Sequence, residues 1–326
     1  MKNKLLKFMT GLTASLILTQ PVYAAEEGVS FVSALPYVCC GILLLVVVLL
    51  SLKLKNIKCK ASCSKLSTED EALVEKIKKG FENNEFKMHL QFIVDSKTKK
   101  IASAEALSRW EPADGEVIMP GKYIPLMEKT GLIAKLDYYM FELVCKKLSS
   151  WKGTEFGDYV ISCNFTRITI SDKNFAEIIR NIADKYDFDR SKLLIEITED
   201  SVEKNMKVAV ENITEIKKLG FMIASDDIGS GYSSLISMCD YPIDVIKLDR
   251  EILLMTDNAK GQKLFLGLIS LAHNLDLKVV CEGVETEEQN TLVSESCCDY
   301  IQGWYYSKAM PEDKAEKFAK DYMKNL

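Results

Sequence analysis

Phe221-Met222-Ile223-Ala224-Ser225-Asp226-Asp227-Ile228-Gly229-Ser230-Gly231-Tyr232-Ser233-Ser234-Leu235 opens with a short apolar run that reads as a buried strand. The run leads into two adjacent carboxylates, then two glycines and a Ser-rich turn able to open a helix. Adjacent acids at a buried strand's end repel each other and lose hydration, and a cation between them relieves both costs. Gly229 and Gly231 let the backbone turn tightly or approach a ligand. A strand followed by an Asp-capped turn accounts for the same residues with no ligand at all. The surrounding chain has to decide.

Outward from this unit, strand and helix patterns alternate. Strands are predicted at Met88–Val94, Ile101–Leu107, Val160–Phe165, Leu193–Ile197, Phe221–Ala224, Val245–Leu248, Val279–Cys281 and Tyr300–Gln302. Amphipathic stretches separate most of them, among them Asp137–Trp151, Phe175–Tyr186 and Val208–Leu219, the last closed by Gly220. Eight strands with intervening helices predict an α/β fold of the (β/α)8, TIM-like barrel type, with an open doubly wound sheet as the alternative. The Asp95–Lys99 turn is too short for a parallel crossover. The first two strands are therefore expected to be antiparallel, a departure from a regular barrel.

The first 70 residues differ in character. Lys2, Lys4 and Lys7 precede an apolar stretch ending in Val22-Tyr23-Ala24, so residues 1–25 read as a signal peptide or a first membrane helix. No charge occurs from Gly28 to Leu52, and residues 30–53 are long enough to span a bilayer. Lys53, Lys55, Lys58, Lys60 and Lys65 follow, whereas Glu26 and Glu27 precede the span. The positive-inside rule then puts everything after Leu52 in the cytoplasm. Residues 54–69 read as a basic juxtamembrane linker and residues 70–326 as the folded domain. Ser67-Thr68-Glu69-Asp70 looks like a helix start.

The whole chain has 326 residues and a net charge of -5, which argues against binding a nucleic-acid polymer through bulk charge. Cys163 and Cys281 lie in apolar surroundings and read as reduced core thiols. His89 and His273 are the only two histidines, which argues against mechanisms needing a His dyad or a His-rich zinc site.

Polar residues recur at or beside the C-terminal ends of the predicted strands. They are Gln91, Glu105, Asn164, Glu196 with Glu199, Asp226 with Asp227, Lys247 with Asp249, Glu282 and Gln302. In a barrel these positions converge on one face. Each alone is explained by a cap or a loop hydrogen bond. Charges inside apolar runs are costly, which makes a full set of accidents a poor account. Oxygen donors without histidine suit Mg²⁺ or Mn²⁺. Four carboxylates and an Asn are enough for two cations sharing one Asp, an arrangement that favours displacement at phosphorus. Lys247 could orient the attacking water.

Glu105-Ala106-Leu107, Asn164-Phe165-Thr166, Glu196-Ile197-Thr198-Glu199, Asp226 to Leu235, Lys247-Leu248-Asp249 and Glu282-Gly283-Val284-Glu285-Thr286 occur in the order found in the EAL-domain family, which this chain resembles from about Asp70 onward. The resemblance implies a modified barrel with one antiparallel strand and a bacterial phosphodiesterase that hydrolyses cyclic di-GMP to linear pGpG. It implies Glu105, Asn164, Glu196 and Asp226 as ligands of one metal ion, and Asp226 and Asp227 as ligands of a second. Glu282 is implied as a metal ligand or general base, and Gln302 as a contact to water, metal or substrate. Lys247 resembles the water-binding lysine, and Gln91, Leu107 and Arg109 resemble residues that hold the dinucleotide. Glu199 resembles the residue that steadies the Asp226–Leu235 loop, which implies a homodimer through this domain. Together with the N-terminal span, it implies an enzyme on the inner face of a bacterial inner membrane.

The chain departs from the family at Ile228, Ser230 and Phe92, where Phe, Thr and Pro are usual. None of these removes a ligand. No Gly-Gly-Asp-Glu-Phe-like cyclase motif is present. A non-catalytic cyclic di-GMP receptor or interaction module is the alternative on the same fold. A different Mg²⁺-dependent phosphoesterase is a third reading.

Overall fold

The computed structural model describes residues 66–113, 115–197, 206–228 and 242–326, apart from the side chains of Met206 and Asp227. The expectations for residues 1–25 and 30–53, most of the linker, Glu199 and residues 229–235 lie outside the described residues. No helix among the described residues is long and apolar enough to cross a membrane.

The unit from Thr68 to Leu326 opens with helix α1 (Thr68–Glu82), which buries Ile77 and Phe81. Strands β1 (Phe86–Asp95) and β2 (Ile101–Trp110) form an antiparallel hairpin with Gln91 opposite Glu105. Asp95 builds the turn. Its Oδ1 accepts from the Lys97 and Thr98 amides at 3.0 and 2.7 Å, and Lys99 takes a positive φ of 61°.

Helices α2 (Pro120–Thr130) and α3 (Ile133–Trp151) lead to β3 (Val160–Phe165). The short α4 (Arg167–Ile170) and α5 (Phe175–Ala183) lead to β4 (Leu193–Ile197), and α6 (Met206–Lys218) to β5 (Met222–Ile228). After β6 (Val245–Leu248) come α7 (Arg250–Leu254), α8 (Ala259–Asn274) and β7 (Lys278–Cys281). Then follow α9 (Glu287–Glu295), β8 (Tyr300–Gln302), β9 (Met310–Pro311) and α10 (Glu312–Lys324).

Strands β2 to β8 are parallel neighbours in chain order, and β1 closes the barrel by pairing antiparallel with both β2 and β8. The expected antiparallel start is therefore present, and the open-sheet alternative falls. β9, which the strand pattern did not suggest, pairs with β1 at His89 and Leu90. β5 runs on to Ile228 rather than ending at Ala224.

Ile93, Leu194, Ala224, Val245 and Val280 fill one layer inside the barrel. Side chains alternate along a strand, so residues two positions nearer the C-terminal rim enter the barrel in the next layer. Those residues are Glu196, Asp226, Lys247 and Glu282 on the parallel strands, and Gln91 on the reversed β1. Cys145, Cys163, Cys281 and Cys298 are buried free thiols, in line with a reduced interior.

Candidate active site

The polar layer is organised around one ammonium. Lys247 is 1% exposed, and its Nζ lies 2.7 Å from Glu282 Oε1 and 2.9 Å from Glu196 Oε2. It lies 3.2 Å from both Glu105 Oε2 and Asp226 Oδ1. Asn164 Nδ2 donates to Glu105 Oε1 and Gln302 Nε2 to Glu105 Oε2, each at 2.7 Å. Four strands and the residue just after β7 thus supply the lysine and four carboxylates, and two more strands supply the amides that orient Glu105.

Glu105 and Lys247 are buried inside the barrel, in a polar layer rather than among apolar side chains. Asp249, two residues beyond Lys247, caps α7, accepting from the Glu251 amide at 2.6 Å. Gln302, implied by the resemblance as a contact to water, metal or substrate, is buried and donates to Glu105.

The excess of carboxylates over ammonium sets the protonation. Burial works against the charge on Lys247, but Asp226, Glu105, Glu196 and Glu282 overcome it and raise its pKa well above the usual value. Burial also opposes charge on Glu105, yet Lys247 and the two amide donors hold its carboxyl below the usual range. Burial pushes Glu196 well up, only partly offset by Lys247. Burial likewise pushes Glu282 up to about 8. The layer is thus short of positive charge, and its protons sit where a cation would be welcome.

Two further observations match that need. Glu196 Oε1 and Gln302 Oε1 are buried and make no hydrogen bond of normal geometry. Every donor in the layer is an oxygen or an amide, the set favoured by hard divalent cations. Among the described residues no three His, Cys, Asp or Glu side chains stand as a ready metal cage, because the carboxylates converge on Lys247. The donor chemistry fits Mg²⁺ or Mn²⁺; the residues able to hold them are Glu105, Asn164, Glu196, Asp226 and Glu282.

A β-bulge accounts for the adjacent acids. Ser225 pairs with Ile246 and Ile228 with Leu248, so Asp226 and Asp227 together oppose Lys247 alone. Strict alternation would send neighbouring side chains to opposite faces, and a bulge is the local device that breaks it.

From the layer outward, β1 and β2 run further than the other barrel strands and carry the proposed substrate residues. Gln91 Nε2 donates to the Ser307 carbonyl at 3.0 Å. Leu107 and Arg109 are half-buried, and Arg109 Nη1 donates to the Ser108 carbonyl at 2.8 Å. The rim near β7 and β8 is tied by Val284 N to the Gln302 carbonyl at 3.1 Å and Tyr305 N to the Val284 carbonyl at 3.0 Å. Ser307 and Val284 thus belong to the support of the site. Nothing in their local sequence period marks them.

An acidic layer on a buried lysine, at the C-terminal rim of a barrel with one reversed strand, defines a class of α/β barrel proteins with an oxygen-rich site. Residues 74–309 match the EAL domain family, and the chain belongs to it. The signaling protein YkoW of Bacillus subtilis is 30% identical over 243 residues, covering 74% of this chain and 30% of that protein. The probable cyclic di-GMP phosphodiesterase PdeB of Escherichia coli is 29% identical over 248 residues, covering 76% of this chain and 47% of that one. The chain thus spans less than half the length of these curated relatives.

Among solved structures, the PaMucR phosphodiesterase in complex with c-di-GMP superposes with a TM-score of 0.70 at 26% identity. The match covers 75% of this chain and 99% of that one. An EAL domain protein from Listeria monocytogenes gives 0.67 at 27% identity, covering 78% and 97%.

Proposed function

We propose that this chain hydrolyses cyclic di-GMP to linear pGpG with two divalent cations, Mg²⁺ or Mn²⁺. The observation that carries this reading is the single polar layer, in which Lys247 touches all four carboxylates of an oxygen-only site. The relatives named as cyclic di-GMP phosphodiesterases supply the substrate.

Gln91, Leu107 and Arg109 hold the dinucleotide along the β1–β2 hairpin. Lys247 holds and orients the attacking water, and Glu282 takes a proton from it. The water oxygen joins phosphorus, the bond from phosphorus to a ribose 3′ oxygen breaks, and the released oxygen receives a proton. One 5′ phosphate and one 3′ hydroxyl result. Bound divalent cations would supply charge stabilisation at the phosphoryl oxygens. Glu105, Asn164, Glu196 and Asp226 would hold one ion; Asp226 and Asp227, on the bulge, would hold the second. Glu199 would steady the loop that follows.

Attachment to a bacterial inner membrane, with the domain in the cytoplasm, belongs to the same reading through the charge-free span and the lysines after it. So does a homodimer through this domain, for which exposed Leu264, Leu266 and Leu271 on α8, with Leu275 just after it, offer apolar surface. The test is the purified full-length chain with cyclic di-GMP and Mg²⁺ or Mn²⁺, its products resolved by chromatography. Metal-dependent pGpG is expected. Tight binding with no product would move the reading to a receptor.

A further inference from the structure

Asp137 is a buried carboxylate that the mechanism above does not use. It sits on α3 and is 6% exposed. Its Oδ2 accepts three hydrogen bonds, all from the segment that leaves β3. The Thr166 amide donates at 3.0 Å, the Thr166 hydroxyl at 2.8 Å and the Thr169 hydroxyl at 2.6 Å. Burial pushes its carboxyl up to about 6 against the pull of those donors. A carboxylate in such a place costs free energy that an apolar residue would avoid, so the fold alone does not call for it.

What the three bonds hold is the exit of β3. Asn164 faces the polar layer, and Phe165 faces outward, 0% exposed, into an aromatic cluster with Phe141 at 5.7 Å and Phe175 at 5.2 Å. Thr166 comes next, with extended backbone (φ -72°, ψ 151°) at the head of the four-residue α4. The far end of the segment is held from another helix. Asn212 on α6 donates from Nδ2 to the Ile170 and Asp172 carbonyls, each at 2.7 Å. Two buried polar side chains from separate helices thus fix residues 166–172. The strand residue that this fixes at the site is Asn164, which in turn donates to Glu105.

We propose that Asp137 is a positioning residue for the cation site: by anchoring Thr166 and Thr169 it sets the height and direction of Asn164 in the polar layer. This rests on the proposed role of Asn164 as a ligand. Asp137 touches neither the layer nor the substrate. Its effect passes through two residues of backbone, with Phe165 locked on the opposite face. Supports of this kind typically govern about 10–100-fold of metal affinity.

The test uses the purified full-length chain and Mn²⁺ alone, titrated by calorimetry, with turnover and the thermal midpoint measured alongside. Asp137→Ala should weaken Mn²⁺ about 10–100-fold, while the KM for cyclic di-GMP at saturating Mn²⁺ stays near the wild-type value. Asp137→Asn keeps an oxygen acceptor for the same three donors and should restore most of the affinity. Thr169→Val removes one donor, leaves the carboxylate in place and should show a smaller loss in the same direction. It keeps the test alive if Asp137→Ala does not fold. A folded Thr169→Val or Asp137→Ala with a lower midpoint but wild-type Mn²⁺ affinity would make Asp137 a turn cap only. If the wild-type chain neither binds Mn²⁺ nor turns over, the reading beneath the proposal fails as well.

Discussion

Lys247 shows how much one charge can organise. Among the described residues it is the ammonium that meets four carboxylates, three of them buried, so its removal leaves like charges facing one another with little water. Breaking a buried pair by deleting one partner costs about 3–5 kcal/mol. Lys247→Met should therefore lower the unfolding free energy of the metal-free chain, read from urea melts, by a comparable amount. Added Mn²⁺ should recover part of the loss by replacing the missing charge. Turnover should not recover, because orientation of the water is lost, a defect of about 10²–10⁴ in rate. Glu105→Ala should behave in the opposite way, with excess Mn²⁺ restoring part of its activity. A metal-rescued rate in Lys247→Met would remove the lysine from the chemistry. Asp137 gives a second residue-level test, through pH. Its folded pKa of about 6 lies above the unfolded value of 3.8, so the unfolded chain ionises first as pH rises. The contribution of Asp137 to stability should fall between those two values and stay level above them, whereas an Asn has nothing to ionise. The stability of Asp137→Asn relative to wild type should thus improve from pH 4 to pH 7, by up to about 3 kcal/mol. Paired urea melts at the two pH values measure this, and an unchanged difference would mean that the carboxyl is not penalised by burial.

Elements place these residues, and one close placement is where β7 and β8 leave the barrel. A Cβ on Gly303 would lie 2.0 Å from the Val284 carbonyl oxygen, a backbone atom that cannot swing aside. Gly303 follows Gln302, and Val284 lies two residues after Glu282. Gly303→Ala should therefore separate the two strand ends and disturb both site residues. The expected result is a turnover loss of about tenfold or more, since small misplacements of reacting groups are costly. Circular dichroism should remain that of the intact barrel, and wild-type turnover would show that the rim yields without moving the site. The same elements show what a linear reading can see. Val160–Phe165, Leu193–Ile197 and Val245–Leu248 are apolar runs with clear ends, and they fold as read. The short Asp95–Lys99 turn was enough to reverse β1, because it leaves no room for a crossover. Other features have no local signature. The two-residue β9 is made by its partner, His89 and Leu90, rather than by its own sequence. The bulge at Asp226 and Asp227 appears only when β5 is laid against β6. The strand-end pattern placed Lys247 on the right face, but its contact with four carboxylates depends on barrel closure, which no window of sequence contains.

At the scale of the whole molecule, the proposed membrane attachment raises the question of which side the barrel would occupy. A dinucleotide with two phosphate charges does not cross lipid unaided, since burying unpaired charge in hydrocarbon is prohibitive. An enzyme for an intracellular messenger therefore has to face the compartment that holds it. The sequence carries its own indication of side. Gly28 to Leu52 is free of charge, and a helix of that length would extend about 37 Å, more than a bilayer core of about 30 Å. Five lysines lie within the thirteen residues from Lys53 to Lys65, and two glutamates lie just before the span. Lysines flanking a span are retained on the cytoplasmic side. A first segment that is cleaved and one that is kept lead to the same orientation of this span. A reporter that works only in the cytoplasm, fused after Leu326, should thus be active, and one that works only in the periplasm should be silent. Replacing Lys53, Lys55, Lys58, Lys60 and Lys65 with Gln should weaken that preference and let the periplasmic reporter gain signal, while leaving the barrel's own residues untouched. Periplasmic activity from the unaltered chain would reverse the orientation and place the barrel on the side away from its proposed substrate.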